Sequence, residues 1–269
     1  MLAAHGVTAS LMTWRTVARG LAERVCFLAP DLRGRGRSAD LPGPYGMGVH
    51  VGDLVAVLDE AGASSSVLVG HSMGAYVMAR LAAEHPDRVA SLVLLDAGLP
   101  LPRPAEPERM LETALANTVM RLSITFPTVS AYIEGWRGHP AFARAWNDDI
   151  EAYARYDLRT DGQAVRCVAS AAAVKADSEE MVLDNATRTA LDRVDAPVWV
   201  LRADRGLFDD ADDPLIPAPR LRQFAAAHPQ MHIEDVADVN HYTLVMGDGP
   251  GPRRVVAAVE RALDGAEAA

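Results

Sequence analysis

Short apolar runs rich in Val and Leu alternate along the chain with segments of helical period, and this alternation restricts the fold more than any other feature. The runs are VCFLAP (25–30), SVLVG (66–70), SLVLLD (91–96), PVWVLRA (197–203) and MHIEDV (231–236). Strands that are apolar throughout and separated by helices are buried on both faces, which predicts an α/β fold with a mostly parallel sheet and helices on either side. Leu11, Trp14, Val17 and Leu21, and again Val51, Leu54, Val55 and Leu58, recur at three to four residues and mark helix faces turned to that sheet. At 269 residues the chain can bury a large core, as one domain or as one domain carrying an insertion.

The insertion reading is favoured by the stretch from Gly98 to about Val194, which has no strand run. It is entered through LPLPRPAEP, has several helical stretches and holds Phe126, Tyr132, Trp136, Phe142, Trp146, Tyr153 and Tyr156, seven of the fifteen aromatics. We therefore expect a core formed by residues 1–98 and 195–269. A helical cap, 99–194, is inserted after the strand ending at Asp96, above the carboxyl ends of the strands where open α/β sheets bind ligands. Its aromatics either pack its own helices or face a ligand; Trp136 and Trp146, with Tyr242 outside it, are the candidate substrate contacts. MLAAHG supplies only the end of a strand, so an N-terminal strand hairpin is expected to be absent, through a trimmed sheet or an internally placed translation start.

Composition narrows the partners. Thirty-six acidic residues against 26 Lys and Arg give a net charge of -10, which disfavours nucleic acid or an anionic membrane as a partner. The basic cluster DLRGRGRS (31–38) is too short to reverse that. No apolar run reaches the roughly 18 residues of a membrane span, and the N-terminus lacks the layout of a signal peptide, so a cytoplasmic protein is expected. Cys26 and Cys167 have neither disulfide-framework nor metal-ligand spacing and are expected to be buried small hydrophobes. Neither a cofactor nor a metal is implied. The expected partner is a small-molecule substrate, and the expected state a monomer or homodimer.

The chemistry centres on GHSMG (70–74). Gly-x-Ser-x-Gly between an apolar strand and a helical pattern is the context of a nucleophile elbow, in which Ser72 takes a strained backbone conformation. Gly70 and Gly74 supply the room that the crossing of strand and helix requires. The helix N-terminus beyond Ser72 suits a developing oxyanion.

With these residues the chain resembles the α/β-hydrolase family over nearly its whole length. HGVTASLMTW (5–14) is similar to the family's oxyanion loop, APDLRGRGRS (29–38) to the loop after its next strand, and HPDRVASLVLLD (85–96) to its helix-to-strand connection. DVNHYTLVMGD (238–248) is similar to the loop with the catalytic histidine. The resemblance implies Ser72 as nucleophile, His241 as general base and the backbone N–H groups of Val7 and Met73 as oxyanion donors. His5 would shape the oxyanion loop, and His71 would be a spacer whose side chain points away from the chemistry. The remaining histidines, His50, His85, His139, His228 and His232, read as surface or core residues, and Asp31 with its arginines as a structural loop. Three residues compete for the acid: Asp96, favoured because a strand end fixes the backbone that must orient an imidazole, and Asp213 and Asp209 in the long loop DRGLFDDADDPLIP. A serine nucleophile argues against the dehalogenase and epoxide hydrolase branches, which use aspartate. The function implied is hydrolysis of a carboxylic ester or lactone with an apolar, small-to-medium substrate. The alternatives are a C–C bond hydrolase or lyase on the same triad, or a non-catalytic ligand-binding member.

Overall fold

A computed structural model describes residues 1–101, 120–162 and 164–267. Its five-stranded sheet runs in the order β1 (Leu2–Ala4), β2 (Ser66–His71), β3 (Val89–Leu95), β6 (Val198–Arg205), β7 (Met231–Asn240), and every neighbouring pair is parallel. The apolar runs alternate between two buried faces. Leu68, Leu92 and Leu94 pack with α2 (Met47–Glu60), α3 (Met73–Glu84) and Leu221 of α8 (Ala218–Ala226). Val67, Val69, Val93 and Leu95 pack on the other side with α1 (Arg15–Leu21) and α9 (Pro250–Glu267) through Val17, Leu21, Val255 and Val259. This two-sided burial is why β2 and β3 carry no polar alternation.

Two expectations need correction. VCFLAP is no strand of its own: Leu28 alone bridges to Leu2, because β1 offers only three residues to pair with. Cys26 beside it is consequently exposed rather than buried, and Cys167 is only partly buried.

The chain between β3 and β6 forms an insert, and most of its proline-rich entry lies outside the described residues. It contains α4 (Val129–Arg137), α5 (Asp148–Tyr156), α6 (Ala171–Leu183) and α7 (Asn185–Arg188). It also contains an antiparallel pair that the run-based reading missed, β4 (Leu158–Asp161) with β5 (Ala164–Cys167). The pair is short and polar, and its turn is marked only by Asp161-Gly162, with Gly162 at φ 59°. The insert rests on loops at the carboxyl ends of the strands. The Tyr156 hydroxyl donates to Asp31 (2.6 Å), Ser170 N–H to the Gly34 carbonyl (2.8 Å), and Asn240 Nδ2 to the Ala141 carbonyl (2.8 Å). Asp31 also accepts from the N–H groups of Leu11 and Arg37, which makes its loop structural. Among the described residues no helix is long and apolar enough to cross a membrane, and no group of His, Cys, Asp and Glu could hold a metal ion.

Candidate active site

Ser72 joins β2 to α3 with φ 56° and ψ −125°, a region that L residues enter only when their surroundings force them. The forcing is visible on both sides. A methyl group built on Gly74 would overlap the Ala4 carbonyl, and one on Gly70 would overlap the backbone of Gly74 and Ala75, so strand and helix cross at backbone contact. The Ser72 N–H donates to the Leu95 carbonyl at 3.2 Å, which ties the turn to the end of β3. The His5-Gly6-Val7 loop passes over the serine: a methyl group on Gly6 would lie 3.2 Å from Ser72 Cβ and 3.5 Å from Oγ. His5 fixes this loop from within. Its Nδ1–H donates to the Gly6 carbonyl (2.9 Å) and its Nε2 accepts the Leu32 N–H (3.0 Å). Burial pushes its pKa down to about 4, so this one-donor, one-acceptor imidazole is neutral at pH 7.

One residue beyond β3, Asp96 takes φ 52°. Its carboxylate is held by two different elements. Oδ1 accepts the Ala203 N–H of β6 at 3.1 Å, and Oδ2 accepts from His241 Nδ1 at 2.8 Å, both groups being buried. Asp96 N–H in turn donates to the Leu201 carbonyl. The bond at Nδ1 leaves Nε2 as the imidazole's working nitrogen, and among the described residues nothing hydrogen-bonds to it. Ser72, Asp96 and His241 thus follow β2, β3 and β7, all at the carboxyl edge of one parallel sheet.

The other acid candidates are engaged elsewhere. Asp209 pairs with Arg144 (2.5 Å) and accepts from Asn240 Nδ2 (3.2 Å), while Asp213 is exposed. Asp204, at the end of β6, is spent on the N–H groups of Asp238 and Val239.

His71 differs from expectation. Its side chain does not point away: Nε2–H donates to the His241 carbonyl at 2.8 Å, and the two rings lie 4.5 Å apart. Burial, followed by the neighbouring His241, holds its pKa well below the usual value, so it stands beside His241 as a neutral ring. The sequence reading also passed over Asn240. Its Oδ1 accepts the N–H groups of Tyr242 and Thr243, and its own N–H donates to Thr243 Oγ1 (2.9 Å), a reciprocal lock around the turn that carries His241. The signal for it was present: two capping residues three positions apart, Asn240 and Thr243, flank the histidine.

Of the proposed substrate contacts, Tyr242 sits 5.4 Å from the His241 ring and 5.2 Å from Phe142 of the insert. Trp136 and Trp146 are occupied by the insert itself. Trp136 packs on Phe142 (5.6 Å) and edge-on to Tyr153 (5.3 Å), and Trp146 lies under the Arg137 guanidinium. Val7 and Met73 flank Ser72 from the loop and the helix, and neither N–H is bonded to a described residue.

A sequence profile of the alpha/beta hydrolase fold matches residues 1–128. The crystal structure of E-2-(acetamidomethylene)succinate hydrolase superposes with a TM-score of 0.81, covering 98% of this chain and 91% of that one at 24% identity. The chain adopts the α/β-hydrolase fold. Relatives more similar in sequence match over shorter lengths. The lipase LipV of Mycobacterium tuberculosis is 44% identical over 101 residues, 38% of each chain. RutD of Caulobacter segnis, named as a carbamate hydrolase, is 35% identical over 98 residues, 36% of this chain and 37% of its own. These matches span little more than a third of either relative.

Proposed function

We propose that this α/β-hydrolase is a serine hydrolase that cleaves a carboxylic ester or lactone of small-to-medium, mainly apolar character. The observation that carries this reading is the conjunction of a strained serine at the β2–α3 elbow with a buried His241–Asp96 pair at the adjacent strand ends. In the proposed cycle Ser72 Oγ attacks the acyl carbon while His241 Nε2 takes its proton. Asp96 stabilises the imidazolium through Nδ1–H, and the N–H groups of Val7 and Met73 receive the oxyanion. His241 then protonates the departing alcohol, and water attacks the acyl-enzyme with His241 as base, releasing the acid and restoring Ser72. In the present geometry Ser72 Oγ and His241 Nε2 are not hydrogen-bonded, a looseness common before substrate binds. The insert serves as a cap, with Tyr242, backed by the buried Phe142, supplying apolar surface beside the base.

The test is turnover of a chain-length series of p-nitrophenyl esters and lactones by wild type, Ser72→Ala and His241→Ala. Activity that both substitutions abolish supports the reading. A folded wild type that turns over none of them, and whose Ser72 is not labelled by a fluorophosphonate, defeats it. The names of the relatives add amide-like bonds to the panel, since E-2-(acetamidomethylene)succinate and carbamates belong to the likeness set. A Ser72-dependent preference for an amide or carbamate over the matched ester would replace the ester assignment while keeping the triad.

A further inference from the structure

Behind the proposed oxyanion pocket lies a buried ionic cluster that the hydrolase cycle does not use. Arg35, His50 and Asp177 are all fully buried. Arg35 Nη1 pairs with Asp177 Oδ2, and His50 Nε2–H donates to the same oxygen at 2.9 Å. An apolar trio of similar volume would serve folding as well or better, because burying charges costs desolvation that their mutual attraction repays only in part. What sets the cluster apart is where the remaining donors of Arg35 go. Nε donates to the Val7 carbonyl (2.9 Å), Nη1 to the Arg33 carbonyl (3.0 Å), and Nη2 meets Met73 Sδ at 3.9 Å. A single planar fork therefore touches both residues assigned to the oxyanion pocket.

Asp177 belongs to the insert. It is the middle of a stripe on α6 formed by Ser170, Ala173, Asp177, Glu180 and Asp184, and each member docks on the core. Ser170 N–H bonds the Gly34 carbonyl, and Ala173 Cβ fills the space where Gly34 has no side chain. Glu180 accepts the Met47 N–H (2.6 Å), and Asp184 pairs with Arg80 (2.9 Å). Burial alone would raise the Asp177 pKa, but the His50 N–H and the Arg35 charge hold it below its ordinary value, so it stays an anion.

We infer that Arg35 is a positioning residue for the oxyanion pocket, clamped by Asp177 so that the docking of α6 sets the placement of the Val7 and Met73 N–H groups. The guanidinium suits this task because its donors are fixed in one plane, so ordering the carboxylate on one side orders the peptide on the other. The inference rests on the hydrolase reading, and its effect falls on the transition state: a displaced donor weakens binding of the oxyanion more than binding of the planar ester.

The experiment compares wild type with Arg35→Met, Arg35→Lys and the apolar triple variant Arg35→Met, His50→Leu, Asp177→Leu. The triple variant removes every partner at once and so leaves no buried charge unpaired. Three quantities are read: kcat and KM on the best p-nitrophenyl ester, inhibition by a trifluoromethyl ketone, and the rate of Ser72 labelling by a fluorophosphonate, in which Ser72 Oγ displaces fluoride at phosphorus. We expect Arg35→Met and the triple variant to lose roughly 10- to 100-fold in kcat with KM nearly unchanged. Ketone affinity and labelling rate should fall by a similar factor, and Arg35→Lys should recover part of each. A folded triple variant with kcat and ketone affinity within about twofold of wild type overturns the assignment, even if Arg35→Met fails to fold. Loss confined to KM also overturns it. A wild type inert to esters and to the fluorophosphonate defeats the hydrolase reading first, and this inference with it.

Discussion

Asp96 shows why a residue's chemistry depends on what immobilises it. Three aspartates can be named from the sequence, and the rigidity of a strand end favours Asp96 among them. Asp96 is our proposed acid on the strength of what holds it: the Ala203 N–H binds one oxygen and His241 Nδ1 faces the other, whereas Asp209 is committed to Arg144 and Asn240. Asp96→Asn is expected to lower kcat roughly 1,000- to 10,000-fold by presenting the wrong hydrogen-bonding partner to the imidazole. Asp213→Asn should stay within about twofold of wild type, as surface substitutions generally do; steady-state ester kinetics on both variants decide the matter. Ser72 and His241 are legible as candidates because their motifs are local, while the proposed acid has a weaker signal, because its hydrogen-bond partner lies 145 residues away. A second aspartate bears on stability. Asp157, buried beside Tyr132 and Cys167 (both 3.3 Å), has its pKa raised to about 7, first of all by burial. Between about pH 4 and 7 the folded chain therefore holds a proton that the unfolded chain has released. Stability falls as pH rises through that window and is flat above it with respect to this group. Asp157→Asn should match wild type in Tm near pH 4 and exceed it at pH 8 by roughly 5–10 °C. An equal gap at both pH values would refute this.

At the scale of elements, the start of α3 meets β1 and β2 at backbone contact. Gly74 faces the Ala4 carbonyl with no room for a methyl group, whereas Gly52 on α2 has open space around it. Gly74→Ala should cost about 3 kcal/mol or more, since backbone must move. Gly52→Ala should stabilise by about 0.5–1 kcal/mol through helix propensity. Urea unfolding midpoints of the two variants test the contrast. The same joint reaches His241: His71, last residue of β2, grips its carbonyl, so the turns that carry Ser72 and His241 are braced by one side chain. His71→Phe keeps a ring but no donor, and His71→Gln keeps a donor but no ring. The first should lose roughly tenfold in kcat, with the second recovering part of it, if the hydrogen bond is what positions the base. Strands β2 and β3 and helices such as α2 and α3 are readable from apolar period because each buries at least one face completely. The β4–β5 pair was not, since its residues are mostly polar and its pairing is local. The role of His71 stayed hidden because it depends on where a loop 170 residues away returns.

For the whole molecule the question is whether the insert folds with the core or on its own. An apolar cluster crosses the boundary: Phe142, Ile150 and Tyr153 of the insert share it with Trp14, Leu244, Val245 and Met246 of the core. Polar links close the other side, where Asp149 receives Arg15 and Arg19 from α1 and α6 docks through its stripe. Parts joined by a fully buried aromatic and a continuous apolar seam lose their packing together, so one cooperative transition is expected. The four tryptophans allow a direct test, because Trp14 and Trp199 report on the core and Trp136 and Trp146 on the insert. Variants retaining one pair each, with Phe in place of the other, should melt at midpoints within about 2 °C of each other and of the far-UV circular dichroism. Phe142 has no exposed surface and touches Trp136, His139 and Tyr242, so Phe142→Ala removes contacts on both sides of the seam at once. It should lower stability by about 3–5 kcal/mol and bring the insert midpoint below the core midpoint. A wild type whose insert tryptophans already melt first would mean that the seam does not couple the two parts. The positioning of His241 by Asn240, which bonds the Ala141 carbonyl across that seam, would then have to be carried by the core alone.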